Sequence, residues 1–131
     1  MSKVVAGIKY TKDHEWVKKL SNGNFQIGIT DYAQSSLGDI VFVDIPGEGT
    51  AVKKGSSVGT IESVKAVSDI YSPVDGTVVS KNDAVSDDPA SVNADPYEAA
   101  WLLEIKGADA SQYDSLMDAS QYEAHLGTLG H

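Results

Sequence analysis

The sequence contains no cysteine and no arginine: its ten basic residues are all lysine. Without cysteine there is no disulfide, no thiolate zinc site and no thiol nucleophile. Without arginine there is no guanidinium clamp for a phosphate. Histidine is scarce as well, and His14, His125 and His131 lack metal-ligand spacing, which argues against an imidazole-based metal centre. Long apolar runs are missing. The longest, residues 99–103, is five residues, against the roughly 20 that a membrane helix needs. The first residues form neither the apolar segment of a signal peptide nor an arginine-rich transit peptide. The expectation is a cytoplasmic protein, mitochondrial only if this is a mature processed form.

What the chain does have is acid. Nineteen Asp and Glu against ten Lys give a net charge of −9 over 131 residues. The balance is uneven along the chain. Residues 1–82 hold nine Lys and nine acids, whereas residues 83–131 hold ten acids and only Lys106. Phosphate contacts rest on Lys and Arg, so neither nucleic acid nor a membrane is an expected partner. With 41% hydrophobic residues the chain has one-domain size and ordinary soluble composition. Such a chain can bury about two-thirds of its unfolded surface.

Up to Lys106 the pattern is short strands cut by turns. Trp16-Val17 leads toward a turn at Ser21-Asn22-Gly23, and Phe25, Ile27 and Ile29 then alternate with Gln26, Gly28 and Thr30, as in a half-buried strand. Asp31–Leu37 reads as a brief helix that Thr30 or Asp31 can cap and Gly38 can stop. Ile40-Val41-Phe42-Val43 is apolar on both faces, a buried strand, and Pro46-Gly47-Glu48-Gly49 is a turn. Further strands are expected at Ser57–Ser63, Val67–Tyr71 and residues 77–80, with a turn at Pro73-Val74-Asp75-Gly76. Residues 82–96, rich in Asp and Asn with Pro89 and Pro96, read as a long loop, and residues 101–105 as the closing strand.

The tail differs. Ser111-Gln112-Tyr113-Asp114 and Ser120-Gln121-Tyr122-Glu123 both fit a helix start, and Gly127 fits a stop. The expectation is a single domain over residues 1–131, with a β core over about 8–106 and an acidic helical tail over about 110–127. Many close strands with Gly/Pro turns indicate a sandwich or barrel.

Two strand-like runs flank Val64-Lys65-Ala66, which would put Lys65 at a hairpin tip. A tip lysine is exposed. Its amine is protonated at neutral pH and must lose a proton before it can be acylated. Most exposed lysines are solvated charges, and the turn has no Asn-Gly or Asp-Gly signal. Periodicity does not single Lys65 out.

The segment around Glu62-Ser63-Val64-Lys65-Ala66 resembles the swinging-arm segment of the glycine cleavage system H-protein family. So do Tyr10-Thr11-Lys12-Asp13-His14-Glu15-Trp16-Val17, Ile27-Gly28-Ile29-Thr30-Asp31-Tyr32-Ala33-Gln34, Leu37-Gly38-Asp39-Ile40-Val41-Phe42-Val43, Ser72-Pro73-Val74-Asp75-Gly76 and Asn93-Ala94-Asp95-Pro96-Tyr97 with Trp101-Leu102. Ala100 stands where the family usually has Gly, and Ser36 where some members have His.

The resemblance implies a mainly β, hybrid barrel-sandwich fold of the lipoyl/biotinyl-carrier kind, with short peripheral helices and a helical C-terminus. It implies a carrier without an active site, bearing lipoate covalently on Lys65. A pyridoxal-phosphate glycine decarboxylase would load the arm with an aminomethyl group. A tetrahydrofolate-dependent aminomethyltransferase would take the one-carbon unit, and dihydrolipoamide dehydrogenase would reoxidise the dithiol. A lipoate ligase or lipoyl/octanoyl transferase would attach the cofactor. Glu62 and Gly76 are the implied recognition residues for that attachment, Gly76 also serving its turn through positive φ. Glu15 and Asp69 are candidates for a pocket that shelters the cationic loaded arm, because a partly buried cation needs an opposite charge. The alternatives are a lipoyl-relay protein, or a lipoyl or biotinyl carrier domain of another complex. Trp16 and Trp101 read as core residues, and Lys53-Lys54 as a solvated turn.

Overall fold

The computed structural model describes residues 3–129. His131 and the outermost ends of the 1–131 span lie outside them. Among the described residues nine strands are present: β1 (Lys9–Tyr10), β2 (Glu15–Lys19), β3 (Phe25–Ile29), β4 (Ile40–Asp44), β5 (Ala51–Val52), β6 (Ser57–Ser63), β7 (Val67–Tyr71), β8 (Gly76–Lys81) and β9 (Leu103–Gly107). Five short helices accompany them: α1 (Asp31–Leu37), α2 (Asp83–Asp87), α3 (Ser91–Ala94), α4 (Ser111–Asp114) and α5 (Ala119–Gly127). One sheet runs β1-β2-β3-β9-β8-β5 and a second β4-β6-β7. Their ladders are antiparallel. The mainly β class with peripheral helices holds. The sheets stay open, however, and no closed barrel forms among the described residues. The larger sheet ends in the two-residue strands β1 and β5, short edges that offer little ladder to pair.

The alternation in β3 does what it predicts: Phe25, Ile27 and Ile29 are buried together with Val43, Ile61, Ile70, Val78 and Ile105 in the main core. Gly28 is buried for another reason. It pairs with Trp16 across the ladder, and a Cβ there would stand 2.7 Å from the indole ring. Trp16 is fully buried and donates through Nε1 to the Pro96 carbonyl at 2.9 Å. Tyr10, Trp16, Tyr97, Tyr122 and Leu126 form a second cluster, which α5 covers. Trp101 packs against it half-buried.

Helix α1 matches its sequence signals: Thr30 Oγ1 accepts from Ala33 N, and Gly38 ends it at φ 83°. Three expectations need correction. The stretch 82–96 is not a plain loop, since Asn82 caps α2 by accepting from Ala84 N, and α3 follows. Asn and Asp there act as helix caps rather than breakers. The closing strand starts at Leu103 rather than at Trp101. In the tail, Asp118 rather than Ser120 caps α5, in a reciprocal capping box with Gln121.

Candidate functional site

Strands β6 and β7 pair down to Glu62 opposite Val67, which leaves Lys65 in the connecting turn. Ser63 closes that turn. Its N–H donates to the Ala66 carbonyl at 2.8 Å, and its buried Oγ accepts from Lys65 N at 3.3 Å and Ala66 N at 3.1 Å. A serine side chain thus replaces the glycine-based signal that the sequence lacks. Val64 N donates to the Asp39 carbonyl at 3.0 Å, which ties the tip to the segment after α1.

Lys65 is exposed, and among the described residues its ammonium has no hydrogen bond or ion pair. Its Cε passes over Gly38, 3.6 Å from where a Cβ would stand. That base is fixed by Asn93 on α3, which sequence reasoning missed. Asn93 Nδ2 donates to Gly38 O at 2.8 Å and Gln34 Oε1 at 2.9 Å, while Oδ1 accepts from Ile40 N at 2.9 Å. Around the tip, Val64 and Val67 are exposed, and so are Val41 and Phe42, so β4 is not the fully buried strand its sequence predicts and the tip carries an apolar rim. Glu62 is half-buried between Phe42 and Val67 in the ladder.

Gly76 does not serve a turn by positive φ. It pairs with Val52 on one side and Gly107 on the other. A Cβ there would collide with the Lys106 carbonyl oxygen, so close approach of backbones is what requires glycine. Lys53-Lys54 is an exposed turn, as expected, with Lys54 N donating to Asp75 Oδ1 at 2.7 Å.

Glu15 and Asp69, 54 positions apart, meet at one narrow cleft. Ala33 and Leu37 of α1 form one wall, Ile61 and Ile70 the other, and Asp13 joins the two acids. Its volume is about 20 Å³, room for one water-sized group. Glu15 is only 2% exposed. Its Oε1 accepts from Thr11 Oγ1 at 2.6 Å and its Oε2 from Tyr71 N at 3.2 Å. Burial pushes its pKa from 4.5 up to about 7 against the pull of those two hydrogen bonds, and Asp13 adds to the rise. Asp69 is exposed and accepts from Ser57 Oγ at 3.2 Å. A wider cleft of about 360 Å³ lies on the other side of Glu15, between Lys12, Lys54, Tyr71 and Met117.

Asp13 was also missed. Its signal lies in the backbone: His14 sits at φ 70°, so the chain turns between Asp13 and Glu15 and both face the cleft. His14, which has no partner in nearby sequence, finds one at Tyr122 on α5, its Nδ1 2.9 Å from that hydroxyl. Among the described residues no group of acidic and histidine side chains could hold a metal ion. No helix there is long and apolar enough to cross a membrane.

The sequence model of the glycine cleavage H-protein family matches residues 8–128. The chain belongs to that family. It is 51% identical over 126 residues to the glycine cleavage system H protein of Escherichia coli O9:H4, covering 96% of this chain and 98% of that one. The H protein of Citrobacter koseri matches to the same extent. The crystal structure of a glycine cleavage system H protein from Mycobacterium marinum superposes with a TM-score of 0.88 at 38% identity, over 95% of this chain and 99% of that one. Family members carry lipoate covalently on a lysine and are carriers rather than catalysts. The site offers such a group a free amine at a hairpin tip and, in the narrow cleft that admits one water-sized group, apolar walls and three acidic side chains.

Proposed function

We propose that Lys65 carries the lipoyl group and that the cleft beside it shelters the arm once loaded. The chain works as the lipoate-carrying shuttle of the glycine cleavage system. Its partners are the pyridoxal-phosphate glycine decarboxylase, the aminomethyltransferase and dihydrolipoamide dehydrogenase. A single tether that visits all three raises the effective concentration of the cargo at each. The observation that carries the reading is the unpaired amine of Lys65 on a turn pinned by Ser63 and Asp39. The turn's backbone is hydrogen-bonded, which leaves the side chain free to enter an attaching enzyme. Glu62 and Gly76 serve recognition by the lipoate ligase or lipoyl/octanoyl transferase, Glu62 through its charge and Gly76 by keeping β8 close to β9. Glu15 and Asp69 hold the ammonium end of the cargo. One carrier domain spans 1–131, and the bacterial relatives support a cytoplasmic location.

Intact-mass measurement after expression with a lipoate ligase tests this. Wild type gains one lipoyl increment. Lys65→Arg keeps charge and fold and gains none. A lipoylated Lys65→Arg protein would move the attachment elsewhere.

A further inference from the structure

The hydroxyl of Tyr122 lines neither cleft, yet its two partners are chain neighbours of residues that line the narrow one. It lies 2.9 Å from His14 Nδ1 and 2.7 Å from Thr30 Oγ1. Tyr122 is fully buried, its ring stacked on Tyr10 with centroids 4.4 Å apart. His14 is the one non-glycine residue with positive φ among those described, and its imidazole packs on Tyr32 at 4.5 Å. A non-glycine residue in that conformation persists only where its surroundings hold it. Here they hold the turn that brings Asp13 and Glu15 to the cleft. Thr30 is the cap of α1, which supplies Ala33 and Leu37 on the facing wall. Its amide also donates to the His14 carbonyl at 2.9 Å. One hydroxyl on the C-terminal helix therefore bridges the acidic turn and the apolar wall. Its partners lie 108 and 92 positions away in sequence.

We infer that Tyr122 is a positioning residue: through His14 and Thr30 it holds the Asp13–Glu15 turn against α1, so that α5 sets how well the cleft keeps water from the cargo. The inference rests on reading that cleft as the seat of the loaded arm. The reaction it slows is hydrolysis. Water adds its oxygen to the methylene carbon of the S–CH₂–NH₃⁺ cargo, and the C–N and C–S bonds break. Formaldehyde, ammonium ion and the free thiol result, with no net oxidation.

Tyr122→Phe deletes the hydroxyl and keeps the ring. Formaldehyde release from the isolated loaded protein is measured for wild type, Tyr122→Phe, Glu15→Ala and the double variant. Losing one hydrogen-bonded link predicts a rise of about fivefold in Tyr122→Phe. If Tyr122 acts through the acidic turn, it adds nothing in the Glu15→Ala background. A second readout uses the protein without lipoate: the ¹³C titration of the Glu15 carboxyl, expected near 7 in wild type, moves down in Tyr122→Phe as water reaches the cleft. His14→Gly tolerates positive φ and has no side chain to reach Tyr122, and it repeats both effects from the other end of the link. Unchanged release with an unmoved Glu15 titration overturns the inference. An equal rise in both backgrounds overturns it too, because it signals general loosening. Glu15→Ala that releases formaldehyde no faster than wild type overturns the cleft reading itself.

Discussion

Glu15 shows how the burial of one carboxyl makes stability depend on pH. Its oxygens are satisfied by Thr11 and Tyr71, yet burial outweighs them and holds its pKa at about 7. The unfolded chain releases this proton near 4.5 and the folded chain near 7. Between those values the folded state binds more protons, so the stability that Glu15 contributes is full below 4.5 and is lost as pH rises through 7. The whole effect is on the order of 3 kcal/mol. Glu15→Gln keeps the shape, can still donate to and accept from the same two partners, and has no proton to lose. Thermal melts from pH 4 to 8.5 should show the variant's advantage growing with pH across that window. A constant offset would mean that Glu15 is already ionised at acid pH. Such a residue is half legible in sequence. Its motif points to it, but its burial, and the neighbouring Asp13, depend on a positive φ at His14 that nothing in a histidine announces. Lys65 is the reverse case: composition and periodicity leave it an ordinary lysine, and only the surrounding motif selects it.

At the scale of elements, glycine placement explains more than turn propensity does. Gly28 lies under an indole and Gly76 against a carbonyl oxygen, and both sit in strands where glycine otherwise weakens pairing. Gly76→Ala should therefore destabilise the fold by about 1–3 kcal/mol through overpacking between β8 and β9, read as a lower melting temperature before any lipoylation is attempted. A melting temperature equal to wild type would return Gly76 to a purely recognising role. The strands at Phe25–Ile29, Ser57–Ser63 and Val67–Tyr71 and the helix Asp31–Leu37 were legible because alternation and caps are local. Helices α2 and α3 were not. They are five and four residues long, below the length at which periodicity shows, and their Asp and Asn residues look the same in a loop as at a cap.

The whole molecule adds what no local pattern contains. Strand β9, late in the chain, inserts between β3 and β8, and α5 closes over β1 through a Tyr10–Tyr122 stack. Both contacts join segments far apart in sequence, so the site they frame appears only in the folded chain. The charge is divided in the same way. Nine Lys and nine acids balance through residue 82, the part that builds the hairpin and its cleft, whereas the excess acid falls in the later helices and loops. Against that balance a single modification is visible. Acylation at Lys65, as proposed, would turn its ammonium into a neutral amide and make the net charge one unit more negative than −9. Among the described residues no carboxylate is paired with that ammonium, so its loss uncovers no buried charge. It should change mobility without changing stability. Isoelectric focusing of unmodified and lipoylated protein should show a one-charge acidic step, with melting temperatures that coincide. A mass increment without the step would mean that the group sits on something other than an amine.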